Sequence, residues 1–152
     1  MKCSLALATF IGLSILVLDR FSKLLALVLC QESHDLTSFL ACNLSFNRGV
    51  SWSLFASEDA YVTIILVCAI VGLIGLLGWH AYKRLQANKS ITAEVMIIAG
   101  ALGNLVDRIL YGAVVDFILI HYKTWCFPIF NVADIAITLG VALFIIREWH
   151  NT

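Results

Sequence analysis

Charge is what this sequence has least of. Of 152 residues, 13% are Asp, Glu, Lys or Arg, about half the roughly 25% of an ordinary soluble domain. Ten basic residues cancel ten acidic ones, so no nucleic-acid partner is expected. There is a single Pro. The five cysteines (Cys3, Cys30, Cys42, Cys68, Cys126) form no CxxC pair and no metal-ligand spacing, which argues against a metal centre. Cys3 and Cys68 read as apolar filler within helices. Cys30, Cys42 and Cys126 fall where oxidation is possible, and the spacing leaves a disulfide among them open. None of the four histidines has a nucleophile at useful spacing.

Apolar residues are abundant instead, at 61% of the chain with a mean hydropathy of +0.95. A soluble domain this small could not hide so much apolar surface, whereas a bilayer removes the need. Four stretches approach the roughly 20 helical residues that span a bilayer: about 4–30, 60–82, 92–110 and 129–147. None alternates with period 2, so helices are favoured over barrel strands. The expected fold is an all-α membrane bundle of four transmembrane helices, with a small extracytoplasmic β-hairpin or sheet, as one domain over 1–152.

Lys83, Arg84 and Lys89 cluster in the second connection, while the first holds only Arg48 and the third only Lys123. The basic side is cytoplasmic, which puts both termini inside and the two longer connections outside. The N-terminal apolar run resembles a secretory signal, but Asp19, Arg20 and Lys23 inside it, and Leu29 before Cys30, argue against cleavage. The first outer connection is about 29 residues, long for a structureless loop. Within it Leu44, Phe46, Val50, Trp52 and Leu54 alternate around Asn47-Arg48-Gly49, the pattern of a small hairpin on the membrane surface. Turn chemistry alone accounts for Asn47 and Gly49. Gly72, Gly75 and Gly78, and Ala99 with Gly103, read as faces where helix backbones approach closely.

Ionisable groups within spans are costly and are functional by default. Here they gather at one depth near the outer interface. Asp19 and Lys23 stand i, i+4 on the first helix, where an ion pair pinning the helix is the plain reading. Asn104 and Asp107 stand i, i+3 on the third, with Arg108 following, and could anchor the interface. Asn131 and Asp134 open the fourth. Asp116 follows the third helix in a short extended piece. Asp116 and Asp134 lack basic neighbours in sequence, which packing explains poorly. Two close carboxylates sharing a proton can activate water against an amide carbonyl. The residues alone therefore suggest a membrane aspartyl hydrolase, with a proton or ion carrier as the alternative. A four-span thiol oxidoreductase passing electrons to quinone would need paired outer cysteines.

Together GALGNLVDRILYGAVVDFI (100–118), FPIFNVADIAITLG (127–140), FNRGVSWSLF (46–55) and DRFSK (19–23) resemble the lipoprotein signal peptidases, signal peptidase II, over nearly the whole chain. The resemblance implies an aspartyl endopeptidase of the bacterial inner membrane. It would cut the signal peptide from diacylglyceryl-modified prolipoproteins just before the lipidated Cys. Asp116 and Asp134 would be the catalytic pair. Asn104, Asp107, Asn131 and Ala133 would shape the site, and Asp19 and Lys23 would support it. Arg108, Asn47 and Gly49 would contact substrate, Arg108 meeting a lipid phosphate. Membrane lipid and prolipoprotein are the implied partners, the chain acting as a monomer with no metal or organic cofactor.

Overall fold

The structure is a computed structural model and describes residues 2–49 and 60–150. Its elements follow in chain order as α1 (Lys2–Leu29), β1 (His34–Asp35), β2 (Leu40–Asn47), α2 (Ala60–Gln86), α3 (Thr92–Tyr111), β3 (Val114–Tyr122), β4 (Trp125–Cys126) and α4 (Val132–Trp149). The fold is thus mostly helical, with one small antiparallel sheet of order β1-β2-β3-β4. α3 packs against each of the other three helices, which makes it the frame on which the polar layer is hung.

The packing is inverted relative to a water-soluble protein. Phe10, Ile65 and Ile109 are 69%, 69% and 71% exposed, while Lys23, Glu94 and Asp107 are 0% exposed. Small residues (Ala8, Ala93, Ala99, Ala133, Ala136) make up much of the apolar interior, so the helices meet backbone to backbone, as helices in lipid do. Among the described residues only α2, over Tyr61–Gln86, is both long enough and apolar enough to cross a membrane by composition alone, with mean hydropathy 2.6. The buried charges lie on α1, α3 and β3.

Two glycines show how close that approach is. A Cβ on Gly100 would stand 2.6 Å from the Ala133 carbonyl oxygen, and one on Gly103 would stand 2.6 Å from Asp19 Oδ2. Gly103 therefore fulfils its expected packing role. Gly72, Gly75 and Gly78 do not, because a Cβ on any of them meets nothing within 4 Å. Among the described residues, all three face open space on α2.

The sheet includes a pairing that the expected hairpin did not foresee. Leu44 and Phe46 belong to β2, which pairs with β3 in the register Ser45↔Asp116 and Asn47↔Val114, after a bulge between Cys42 and Ser45. Val50, Trp52 and Leu54 lie outside the described residues. A disulfide joins Cys30 at the end of α1 to Cys42 in β2, resolving one question the spacing left open. Cys126 is free and exposed.

The fourth helix starts at Val132 rather than near Ile129. Asn131 caps it: its side chain accepts from the Asp134 N–H while the Asp134 side chain accepts from the Asn131 N–H, the reciprocal capping box. Phe130 is instead bridged to Ile118 of β3. At the opposite end of the bundle Glu94 accepts two hydrogen bonds from Arg147, at 2.6 and 3.0 Å. His80 and Arg84 also lie within 3.5 Å of Glu94. This network joins α2, α3 and α4 far from the polar layer above.

Candidate active site

Lys23 is the centre of the support. Its ammonium is fully buried and lies 2.8 Å from Asp19 Oδ2, 2.8 Å from Asp107 Oδ2 and 2.9 Å from Asn104 Oδ1. It donates a hydrogen bond to Asn104 and is ion-paired with both carboxylates. The expected Asp19–Lys23 ion pair is present, but it is half of a larger cluster. Asp107 is held by Arg20 at 2.6 Å and by Lys23, not by the adjacent Arg108. Arg20 had no role in the sequence reading. Its place one residue after Asp19, inside an apolar span, was the available signal.

Each supporting carboxylate also holds a backbone N–H. Asp19 Oδ1 accepts from Ala133 N at 3.0 Å, and Asp107 Oδ2 accepts from Val115 N at 3.2 Å. Ala133 immediately precedes Asp134, and Val115 immediately precedes Asp116. One lysine thus spans two anchors, and each anchor fixes the main chain beside one candidate carboxylate.

Three asparagines complete the arrangement, and donor-only groups fix their orientation. Asn104 Oδ1 must face the Lys23 ammonium, so its Nδ2 donates to Asp134 Oδ1 at 2.8 Å. Asn131 Oδ1 accepts from the Asp134 N–H at 2.9 Å, so its Nδ2 donates to Asp116 Oδ1 at 2.6 Å. Asn47 Oδ1 accepts from the Gly49 N–H at 2.9 Å, so its Nδ2 donates to Asp116 Oδ2 at 3.1 Å. A backbone N–H and an ammonium cannot accept, so none of these amides can turn over without loss. Asp134 Oδ2 accepts from the Asn131 N–H at 3.2 Å. Both oxygens of each carboxylate therefore receive one N–H.

Asp116 and Asp134 meet through Asn131 and face one cavity of about 550 Å³. Its polar end is formed by Asn47, Gly49, Asn104, Arg108, Asp116 and Asp134. Most of the rest is apolar, with Ile70, Leu73, Ile97 and Ile137 among its walls. Burial pushes the Asp116 carboxyl up, and the Asp134 charge pushes it further, to about 6. The hydrogen bonds from Asn47 and Asn131 act the other way, since they favour the charged form. A carboxyl poised there can hold or release a proton near neutral pH. Among the described residues no group of acidic, His or Cys side chains could hold a metal ion.

The expected site residues sort into these shells. Asp116, Asp134, Asn47, Gly49, Asn104 and Arg108 line the cavity. Asn131 bridges the two carboxylates, and Asp19, Lys23, Asp107 and Ala133 lie behind them. Arg108 donates to two backbone carbonyls, Gly49 O at 2.7 Å and Asn104 O at 3.4 Å, and among the described residues its buried Nε has no hydrogen-bond partner.

The model of the family described as Signal peptidase (SPase) II matches residues 11–150. The chain belongs to the signal peptidase II family. It is 39% identical over 140 residues to a lipoprotein signal peptidase of Janthinobacterium sp. (strain Marseille), covering 88% of this chain and 82% of that one. It is also 39% identical over 136 residues to the lipoprotein signal peptidase of Anaplasma phagocytophilum (strain HZ), covering 88% and 86%. A solved bacterial membrane enzyme superposes with a TM-score of 0.73 at 28% identity, over 96% of this chain and 89% of the other. Signal peptidase II membership makes the chain a bacterial membrane peptidase of the lipoprotein-processing class. The carrier and thiol–quinone readings find no support in these likenesses.

Proposed function

We propose that this chain is an aspartyl endopeptidase that removes the signal peptide from diacylglyceryl-modified prolipoproteins just before the lipidated Cys. Asp116 and Asp134 are the catalytic pair. The observation that carries this reading is the shared Asn131, which bonds both carboxyls at the polar end of one cavity.

Asp116, with its carboxyl near 6, holds the shared proton, and Asp134 acts as the carboxylate. A water between them gives a proton to Asp134 as its oxygen attacks the scissile carbonyl carbon. Asp116 gives its proton to the carbonyl oxygen, so the tetrahedral intermediate is neutral. On collapse the proton on Asp134 passes to the departing amide nitrogen, and a hydroxyl of the intermediate returns one to Asp116. Both carboxyls regain their starting state, and water is the only co-reactant.

The chain is one domain that crosses the inner membrane four times, as a monomer, with termini and the Lys83–Lys89 loop inside and the sheet outside. The shortest helix, α4, has 18 residues, about 27 Å at 1.5 Å each, close to the hydrocarbon thickness. Exposed apolar side chains around buried charges support the same reading. The scissile bond of a lipid-anchored Cys would lie near the outer interface, level with the polar layer. A diacylglyceryl thioether carries ester carbonyls and no phosphate, so the phosphate contact expected of Arg108 has no counterpart on the modified Cys.

Single-turnover cleavage of lipidated substrate, with binding measured in parallel, tests the assignment. Asp116→Asn and Asp134→Asn should each bind and fail to cleave. Asp107→Asn should retain a detectable rate, because Arg20 and Lys23 pair with Asp107 as a support behind the two carboxyls. Cleavage by the Asp116 variant beside a dead, binding-competent Asp107 variant would move the catalytic role to Asp107.

A further inference from the structure

Arg108, Gly49 and Asn47 form a chain that ends on Asp116. Arg108 Nη2 donates to the Gly49 carbonyl at 2.7 Å. The N–H of the same residue donates to Asn47 Oδ1 at 2.9 Å. The other end of that amide donates to Asp116 Oδ2 at 3.1 Å. Gly49 is buried and Arg108 is 8% exposed, so water competes little for these bonds. The resemblance implied that all three residues contact substrate. With no substrate bound, they already have another task.

We propose that Arg108 is a positioning residue for Asp116: through Gly49 and the Asn47 amide it keeps a hydrogen-bond donor on the carboxyl oxygen before substrate arrives. This rests on Asp116 and Asp134 being the catalytic pair. β2 ends at Asn47, and its pairing with β3 does not by itself aim the Asn47 side chain. The Gly49 N–H sets which end of the amide faces Asp116, and Arg108 holds Gly49. Substrate that draws on Arg108 or Gly49 would thereby alter the donor on Asp116, linking occupancy of the cavity to the acidity of the catalytic carboxyl.

Three charged groups also act on Asp116: Lys23 from α1, Arg108 from α3 and Asp134 from α4. β2 contributes the uncharged Asn47. The test must therefore separate the charge of Arg108 from its hold on Gly49. The pH profile of kcat/KM reports the free enzyme, so a residue that only touches substrate cannot move it. Asn47→Ala removes the donor and should shift the alkaline limb up by about one pH unit. Asn47→Ser, too short to reach, provides the same test if the alanine variant folds poorly. Arg108→Lys keeps the charge and loses the planar fork, and should shift the limb in the same direction. The double variant should shift it no further than Asn47→Ala alone.

A limb unmoved in either single variant, with KM raised, would reduce both residues to substrate contacts and overturn the proposal. Shifts that add in the double variant would overturn it equally, showing that Arg108 does not act through Asn47. Failure of the underlying reading looks different: Asp116→Asn would then still turn over.

Discussion

Replacing Gly100 by Ala tests whether the contact between α3 and α4 sets the catalytic geometry. The added Cβ would lie 2.6 Å from the Ala133 carbonyl oxygen and 2.7 Å from Ile137 Cγ1. The side chain of Ile137 can turn, but a backbone carbonyl in a helix cannot. Ordinary contact begins near 3.4 Å, so α4 must retreat by roughly 0.8 Å at this point. Asp134 follows Ala133 directly, and Asn104, one turn along α3 from Gly100, bonds it at 2.8 Å. A retreat of that size stretches the bond to roughly 3.6 Å, beyond hydrogen-bonding range. Overpacking of this kind costs about 1–3 kcal/mol of stability. A displacement near 1 Å at reacting groups costs on the order of 100-fold in rate. Gly100→Ala should therefore unfold earlier on heating in detergent and cleave lipidated substrate roughly 10- to 100-fold more slowly. Gly140→Ala meets Ile97 Cγ1 at 2.8 Å and the Ala93 carbonyl at 3.1 Å, further down α4 from Asp134. It should lose stability but keep more activity. Gly72→Ala meets nothing within 4 Å and should lose neither, gaining up to about 1 kcal/mol from helix propensity. Wild-type turnover by Gly100→Ala, or an equal loss in Gly72→Ala, would refute the reasoning.

Three further outcomes are expected. Asp116 holds its proton up to about pH 6 and releases it above, and the pair needs that proton, so kcat/KM should fall as pH rises through this region. A rate still climbing between pH 6 and 8 would contradict the role given to Asp116. The disulfide closes a loop of sequence separation 12, so Cys30→Ser or reduction should cost about 3 kcal/mol of stability. Without reduction, alkylation followed by mass spectrometry should mark Cys68 and Cys126 but neither Cys30 nor Cys42. A cysteine placed at Ser38 should react with an impermeant reagent in whole cells and one at Ala87 should not, and the opposite pattern would invert the topology.

The helices were legible because each is a long, mostly apolar stretch without period-2 alternation, and the four observed helices lie within a few residues of the expected stretches. The start of α4 was misplaced by three residues because hydropathy continues through Ile129 and Phe130, while the Asn131 cap decides the boundary. The β2–β3 pairing was not legible: alternation in one segment says that a strand exists and nothing of a partner some 70 residues away. The glycine stripe misled for a related reason, since spacing on α2 does not reveal which side faces a neighbour. Depth along each helix was enough to group the four aspartates. The lack of basic neighbours set Asp116 and Asp134 apart, whereas the joining of Asp19 and Asp107 through Lys23 depends on how α1 and α3 are rotated against each other. Glu94 carries no signal in the sequence beyond its place near the start of α3, although its burial against Arg147 ties three helices together.

The i, i+4 placement of Asp19 and Lys23 bears on how such a protein is made. With the proposed topology α1 enters the bilayer before α3 exists, and a lone charge within a span costs up to about 2.5–3.5 kcal/mol on insertion scales, the full amount only at mid-membrane. Asp19 and Lys23 can neutralise each other within α1, so the helix needs no partner while it waits. Lys23 then pairs with Asp107 and donates to Asn104 when α3 arrives. The first segment to be inserted thus carries the receptor for a later one. Replacing Lys23 by Leu would leave Asp19 without its partner in α1 and α3 with no dock, a defect of biogenesis before it is one of catalysis.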